Sequence, residues 1–168
     1  MQDYTSANTS INSTKVPAVF RKVYWTSGRT NLDLGGGKYD TATDFLKEKG
    51  VTNLIYDPFN RPEEHNKRVL NHAMIHGVDH CTISNVLNVI DCFEARQAVL
   101  QLAWNTLIDG HFCFITVYEG DRSGKGKATK KDCWQNNMKL KDYIDEVKAV
   151  FGNAYIENGM IVAYKEEQ

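Results

Sequence analysis

The sequence predicts an α/β protein built on a mostly parallel sheet, with helices on both faces and a C-terminal antiparallel hairpin. Three observations carry this reading. From Asn31 onward, apolar runs of strand length alternate with stretches of helical periodicity, as βαβ units do. Three consecutive glycines, Gly35 to Gly37, follow the first of these runs. Near the end, Asn158-Gly159 separates two β-rich runs, and this residue pair favours a two-residue type I′ hairpin turn.

Taken in order, Thr30 to Leu34 reads as the first strand, and Thr41 to Lys49 as a helix with Ala42, Phe45, Leu46 and Lys49 on one face. Val51 to Tyr56 is the second strand, stopped by Pro58, and Pro62 suits the first turn of a helix running to about His76. His80 to Asn85 is a third run. Asp91 with Glu94 three residues later forms an Asp version of the capping box, with Ala95, Val99 and Leu102 at helical spacing behind it. His111 to Tyr118 is apolar enough for a strand buried on both faces, which predicts a central place in the sheet. A long hydrophilic loop then spans Glu119 to Asn137. Leu140, Tyr143, Ile144, Val147, Val150 and Phe151 mark an amphipathic helix ended by Gly152, and the hairpin Ala154 to Glu157 and Met160 to Tyr164 closes the chain.

A length of 168 residues suits one domain, expected over 17–168. Residues 1–16 are rich in Ser, Thr and Asn and predict a flexible arm, either a frayed tail or a lid over a ligand. Hydrophobic residues make up 42% of the chain and charged ones 24%, the balance of a soluble globular protein. With a net charge of −1, only a local patch would draw nucleic acid or an anionic membrane. No run of spanning length and no signal-peptide pattern occurs, which predicts a cytoplasmic protein without a membrane partner. Cys81, Cys92, Cys113 and Cys133 lack a paired C-x-x-C spacing and are expected as reduced thiols.

The most informative segment is Asn31-Leu32-Asp33-Leu34-Gly35-Gly36-Gly37-Lys38-Tyr39-Asp40. It sets the glycines at the carboxyl end of a strand and just before a helix, where open α/β sheets bind ligands. Glycine suits a sharp backbone turn that a ligand must approach closely, although the same residues also suit a plain strand-to-helix turn. The order is not the G-x-G-x-x-G of a dinucleotide site, because position 40 is Asp. Asp33 and Asp40 disfavour a phosphate and tolerate a cation such as the sulfonium of S-adenosylmethionine. Asp57 ends the second strand 24 positions after Asp33, a place from which a carboxylate reaches ribose hydroxyls.

On Asp33, Gly35 and Gly37 the chain resembles the class I S-adenosylmethionine-dependent methyltransferases, whose first motif has the form acid-x-Gly-x-Gly. The likeness runs over residues 28–118. Tyr56-Asp57-Pro58-Phe59-Asn60-Arg61-Pro62 and Ser84-Asn85-Val86-Leu87-Asn88-Val89-Ile90 look like the methyltransferase-like proteins associated with DNA phosphorothioation, a kind that also occurs in phages. The resemblance implies a seven-stranded Rossmann-like sheet. It also implies a cofactor site made by Asp33, Gly35, Gly36, Gly37, Asp57, Pro58, Ser84 and Asn85, with Asp79 or a neighbour flanking the adenine. Tyr39 stands where the usual third glycine would be. Only 22 residues separate Asp57 from Asp79, so one edge strand is expected to be short or missing.

Asn85 and Asn88 are the expected catalytic positioning residues, set to hold a target amine or carbonyl in line with the methyl group. Backbone capping is the alternative role for both. No Asn/Asp-Pro-Pro-aromatic motif is present, so adenine N6 chemistry is not assigned. Arg122, Lys125, Lys127, Lys130 and Lys131, with Trp134 close behind, give a patch able to follow a phosphate backbone and stack on a base, or simply a solvated loop. His72 and His76 sit at i, i+4 but lack the neighbouring Glu of a zincin, and no metal is expected. No G-x-S-x-G elbow supports a serine hydrolase.

The expected activity is methyl transfer from S-adenosylmethionine, with nucleic acid the leading acceptor and a small molecule or host protein also open. The alternatives are a phage-type binding or inhibitor protein that keeps the pocket without turnover, and an enzyme that consumes the cofactor without a macromolecular acceptor.

Overall fold

The computed structural model describes residues 2–8 and 14–167. Thr9, Ser10, Asn12 and Ser13 of the expected arm lie outside the described residues. The elements in chain order are α1 (Ala18–Lys22), β1 (Thr30–Leu34), α2 (Thr41–Glu48), β2 (Thr52–Tyr56), α3 (Glu63–His76), β3 (Val78–Ser84), α4 (Phe93–Thr106), β4 (Leu107–Thr116), β5 (Lys127–Lys130), β6 (Cys133–Gln135), α5 (Ile144–Phe151), β7 (Asn153–Glu157) and β8 (Met160–Tyr164). Single 3₁₀ turns, Leu87–Val89 and Leu140–Tyr143, precede α4 and α5.

Six strands form the main sheet in the order β2-β1-β3-β4-β8-β7. β1 pairs in parallel with β2 and β3, and β3 with β4, whereas β8 runs antiparallel to both β4 and β7. This is the expected mixed architecture, with β4 inside the sheet. β2 is an edge strand, and one helix, α3, carries the chain from β2 back across β1 to β3. Twenty-two residues suffice for that single passage, so the sheet has six strands in place of the seven implied.

Neighbouring residues of β8 show how the sheet divides the core. Met160 packs with α1 and α2 (Val19, Phe20, Ala42, Leu46), while Ile161 packs with α3, α4 and α5 (Val69, Ala73, Leu100, Ala103, Val147, Phe151). Successive side chains of a strand point to opposite faces, so two helices cover one face and three the other. At the hairpin turn, Asn158 and Gly159 have φ of 49° and 69°, the two positive values that a type I′ turn requires.

Several expectations are corrected. The capping box at Asp91 does not form. α4 starts at Phe93 with Cys92 as N-cap, the Asp91 carboxylate instead accepts the Asp3 N–H at 3.2 Å, and Glu94 accepts from the Cys92 thiol. The expected loop from Glu119 to Asn137 contains the two-stranded sheet β5–β6, and the helix expected from Leu140 begins as a 3₁₀ turn. α1 was not foreseen. Its Phe20 carbonyl accepts the Trp25 indole N–H at 2.7 Å, which fixes a short helix over the sheet. No disulfide joins cysteines among the described residues, and no helix there is long and apolar enough to cross a membrane.

α4 and α5 are joined by a buried ion pair. Arg96 Nε and Nη2 donate to the two oxygens of Glu146 at 2.9 and 2.8 Å, and Nη1 donates to the Ile90 carbonyl at 2.9 Å. That third bond anchors the turn after β3. Removing one partner of such a pair strands the other without compensation. Glu146→Ala is expected to lower the unfolding free energy by about 3–5 kcal/mol, read by urea denaturation, and a loss within the range of an exposed pair would show that Arg96 is satisfied by Ile90 alone.

Candidate functional site

From β1 the chain crosses to β2 on one side, and from β2 it returns to β3 on the other. Strand order therefore reverses at β1, and a crevice opens at the carboxyl ends of β1 and β3. A cavity of about 710 Å³ lies there, within the usual range for small-ligand sites. Gly35, Asp57, Pro58, Ser84, Asn85 and Asn88 all line it. Asp33 and Gly36 line instead a smaller cavity of about 50 Å³ that also touches Gly35 and Ser84.

The glycines answer first to the chain's own packing. Gly35 has φ of 74° and Gly37 of 77°, a region open to glycine. A Cβ on Gly35 would stand 2.5 Å from the Val86 side chain, and one on Gly36 would stand 2.5 Å from Asp33 Oδ2. Gly35 N–H donates to the Tyr56 carbonyl at 2.8 Å, which ties the loop to the tip of β2. Arg61, which the sequence reading passed over, clamps the loop from outside. Its guanidinium donates to the carbonyls of Gly37 and Tyr39 and to Asp40 Oδ1 at 2.8, 2.9 and 2.8 Å. Asp40 is thus ion-paired, and the argument that its charge selects a cationic ligand falls.

Asp57 joins two loops. Oδ2 accepts the Gly37 N–H at 2.9 Å, and Oδ1 accepts the Phe59 and Asn60 N–H groups, each at 3.0 Å. Asn60 Nδ2 makes two longer contacts of 3.3 Å to the same carboxylate. With those two longer contacts set aside, the carboxylate is held at the cavity wall by its three backbone bonds.

Asp33 is buried beneath the glycine loop, and Thr82 donates to its Oδ1 at 2.9 Å. Burial pushes its carboxyl up to about 7 and the charge of Asp57 pushes the same way, while the Thr82 hydroxyl and Arg61 pull down. Asp33 is therefore not a permanent anion at neutral pH, contrary to the sequence reading.

Asn85 follows β3 in the left-handed region, with φ of 56°, and its N–H donates to the Thr116 carbonyl at 2.9 Å. Asn is among the few non-glycine residues that tolerate this conformation. Asn88 lies in the 3₁₀ turn just beyond, and its Nδ2 donates to Gln135 Oε1 at 3.2 Å. The turn is held by Asn136, the residue after β6, whose N–H donates to the Asn88 carbonyl at 2.8 Å and whose Nδ2 donates to the Leu87 and Ile90 carbonyls at 2.9 and 3.1 Å.

The far wall comes from parts the sequence did not bring together. Tyr118, Trp134 and Gln135 line the cavity beside Gln2, Thr5, Ser6 and Ala7 of the N-terminal segment. Ser6 Oγ donates to the Val89 carbonyl at 3.0 Å and accepts the Trp134 N–H at 3.2 Å, while Thr5 binds the Asp132 carboxylate through both its N–H and its hydroxyl. The Tyr4 and Trp134 rings lie 5.2 Å apart. The sequence reading named Trp134, as an aromatic beside a basic run, and residues 1–16, as a frayed tail or a lid, without bringing them together.

Asp79 does not flank this cavity. It stands at the amino end of β3, where it accepts the Thr30 N–H and an Arg29 N–H, each at 2.9 Å, with His111 at 3.5 Å. The basic patch is partly engaged: Arg122 pairs with Glu119, Lys127 with Asp121, and Lys130 donates to the Asn8 carbonyl. The His72 and His76 rings lie 4.7 Å apart, tilted at 48° to each other, and no cluster of three or more metal-binding side chains occurs among the described residues.

Compared with solved structures, the fold is that of S-adenosylmethionine-dependent methyltransferases. Burkholderia thailandensis 1,6-didemethyltoxoflavin-N1-methyltransferase, with bound 1,6-didemethyltoxoflavin and S-adenosylhomocysteine, superposes with a TM-score of 0.62 at 16% identity, over 84% of this chain and 72% of that one. A Haloferax volcanii protein in complex with the Trm112 methyltransferase activator gives 0.61 at 11% identity, over 89% and 88%. The [4+2]-cyclase SpnF gives 0.57 at 10% identity, over 79% of this chain and 54% of that one, so this fold also serves another reaction. No protein-family model matches the chain, and no curated protein does.

The raised Asp33 value has a signed consequence. Its ordinary value is 3.8 and its folded value about 7, so the folded state favours the protonated form, and the resulting stabilisation is lost as pH rises between those values. His80, lowered by burial to about 4, works in the opposite sense over part of this window. The comparison that isolates Asp33 is the stability of Asp33→Asn relative to the unsubstituted chain. That difference is expected to grow from pH about 4 to about 7 and then level off, read by urea denaturation. Parallel pH profiles would show that the Asp33 carboxyl is ionised in the fold.

Proposed function

We propose that the chain is an S-adenosylmethionine-dependent methyltransferase that uses the crevice at the tips of β1, β2 and β3. The observation that carries this reading is that Gly35, the first residue of the glycine loop, and Asp57, which holds that loop through the Gly37 N–H, line one cavity of sufficient size at the point of strand reversal. In this reading Asp57 takes the ribose hydroxyls, and Gly35, Pro58, Ser84 and Asn85 line the bound cofactor. Gly36, Gly37 and Asp33 act from behind as the support of the loop. Bound there, S-adenosylmethionine supplies a methyl group already activated on sulfur, so the protein's task is alignment. Asn85 and Asn88 do that aligning, from a tip fixed to Thr116 and a turn fixed to Asn136. The adenine end falls to the apolar wall of Phe59, Val86, Val99 and Leu102, beside the edge strand β2.

Two observations bear on the acceptor. Arg122 to Lys131, beside the cavity mouth, favours nucleic acid, and three of its five cations are already engaged. The roof formed by Gln2, Thr5, Ser6 and Ala7 favours a small molecule and supports the arm's reading as a lid over the 17–168 domain. The narrower likeness to phosphorothioation-associated and phage proteins rests on the segments at Tyr56 to Pro62 and Ser84 to Ile90. A pocket that binds without turnover would leave the inhibitor reading in place.

Calorimetric titration with S-adenosylmethionine and S-adenosylhomocysteine tests the proposal. Both are expected to bind at micromolar strength, and Asp57→Ala to weaken both at least tenfold, about 1.4 kcal/mol, with a thermal melt confirming the fold. Binding unaffected by Asp57→Ala would sink the ribose assignment, and no binding of either compound would sink the proposal.

A further inference from the structure

The cavity and its surroundings divide their charge. Among the described residues, the cavity lining holds the carboxylate of Asp57 and neither Lys nor Arg. Residues 119–142 beside it carry seven Lys and Arg against four Asp and Glu, whereas the rest of the chain carries 13 against 17. Arg122 and Lys127 pair with Glu119 and Asp121. Lys125, Lys130, Lys131, Lys139 and Lys141 are exposed and make no ion pair among the described residues.

The basic segment meets the cavity at its rim. Thr129, which stands between Lys127 and Lys130 in β5, lines the cavity together with Gln135 of β6. Gln135 Nε2 donates to the Tyr118 carbonyl at 3.1 Å, and Glu119 Oε2 accepts the Leu140 N–H at 3.0 Å. The chain just after β4 is therefore joined both to the hairpin and to the turn at Lys139 to Lys141. Tyr118 lines the cavity there and is 65% exposed, so the N-terminal roof leaves it uncovered. Trp134, expected from the sequence to stack on a base, is already engaged. The Tyr4 ring lies 5.2 Å from it, its Nε1 donates to Asn136 Oδ1 at 2.8 Å, and a Cβ on Gly126 would overlap its six-membered ring. Tyr118 is the exposed aromatic on the lysine side.

Lysines outside a cavity, with an exposed aromatic at its rim, match a polyanion that carries neutral planar rings. In a duplex those rings are paired and stacked, and reaching a cavity requires flipping one out, whereas a single strand offers them directly. Resting on the methyltransferase reading, we infer that the acceptor is a single-stranded polynucleotide, whose phosphates lie along the lysines of the β5–β6 hairpin and one of whose bases stacks on Tyr118 at the cavity mouth. DNA and RNA share this chemistry, and the experiment separates them. The lysines set affinity and its salt dependence, and Tyr118 positions the base.

The test uses the full chain saturated with S-adenosylhomocysteine, titrated by fluorescence anisotropy with a labelled single strand of about 12 nucleotides, as DNA and as RNA, and with the matching duplex. Single strands are expected to bind more tightly than the duplex, and the tighter of the two identifies the sugar. With about four phosphates engaged, affinity is expected to fall roughly fiftyfold as salt rises from about 50 to about 200 mM, and in Lys125→Gln/Lys131→Gln that loss is expected to shrink to roughly sevenfold. Tyr118→Leu is expected to weaken binding about fivefold or more with the salt-dependent loss unchanged. The lysine variant alters exposed side chains only, so it stands as a test even where Tyr118→Leu folds poorly. Equal or tighter binding of the duplex, an unchanged salt-dependent loss in the lysine variant, or full affinity in Tyr118→Leu would each overturn the inference. So would no binding of either strand by a chain that binds S-adenosylhomocysteine, which leaves the cofactor reading intact. Failure of S-adenosylhomocysteine itself to bind would remove both.

Discussion

The Asp57 carboxylate is the interaction on which the site depends. Three backbone N–H groups, from Gly37, Phe59 and Asn60, converge on it, so the loop after β1 and the loop after β2 are fixed relative to each other by one side chain. Arg61 then closes the same loop from the other side through the Gly37 and Tyr39 carbonyls. Asn66 completes the arrangement, donating to the Asp57 carbonyl at 2.9 Å and accepting the Asp57 N–H at 3.1 Å, so α3 also reports to this residue. A ligand arriving at the tips of β1 and β2 meets a preformed backbone and has little left to order.

The loss of one edge strand shapes what surrounds that centre. With β2 at the margin and α3 returning directly to β3, the cavity reaches down to the apolar face of α4 at Ala98, Val99 and Leu102. The opposite end is closed by added parts, the β5–β6 hairpin and residues 2–8, held together by Asp132, Ser6 and Trp134. One end is therefore apolar and set by the sheet, and the other is polar and set by hydrogen bonds between distant segments.

What was legible in the sequence follows the range of the forces involved. β1 falls on the expected residues, and the turn at Asn158-Gly159 is as expected, because strand periodicity and positive-φ preference are local properties. The glycine loop falls just after β1 and Asp57 just after β2, as expected, because both positions follow from where the strands end. α1 was missed because five residues are too few to show a period. β5 was missed because all four of its residues are exposed and its partner strand is tied down by Ser6, 128 positions away from Trp134. Arg61 and Gln135 likewise act through tertiary contacts that no spacing reveals. Asp33 was read as an anion and Asp79 as an adenine neighbour, since burial and strand end are visible only in three dimensions.

The most direct test of the central claim, that a ligand binds at the tips of β1, β2 and β3, is amide hydrogen exchange with and without S-adenosylhomocysteine. Slower exchange is predicted at residues 35–37, 59–60 and 84–88, with the β7–β8 hairpin unchanged. Protection confined to the β5–β6 hairpin, or none anywhere while the compound is bound, would contradict the account.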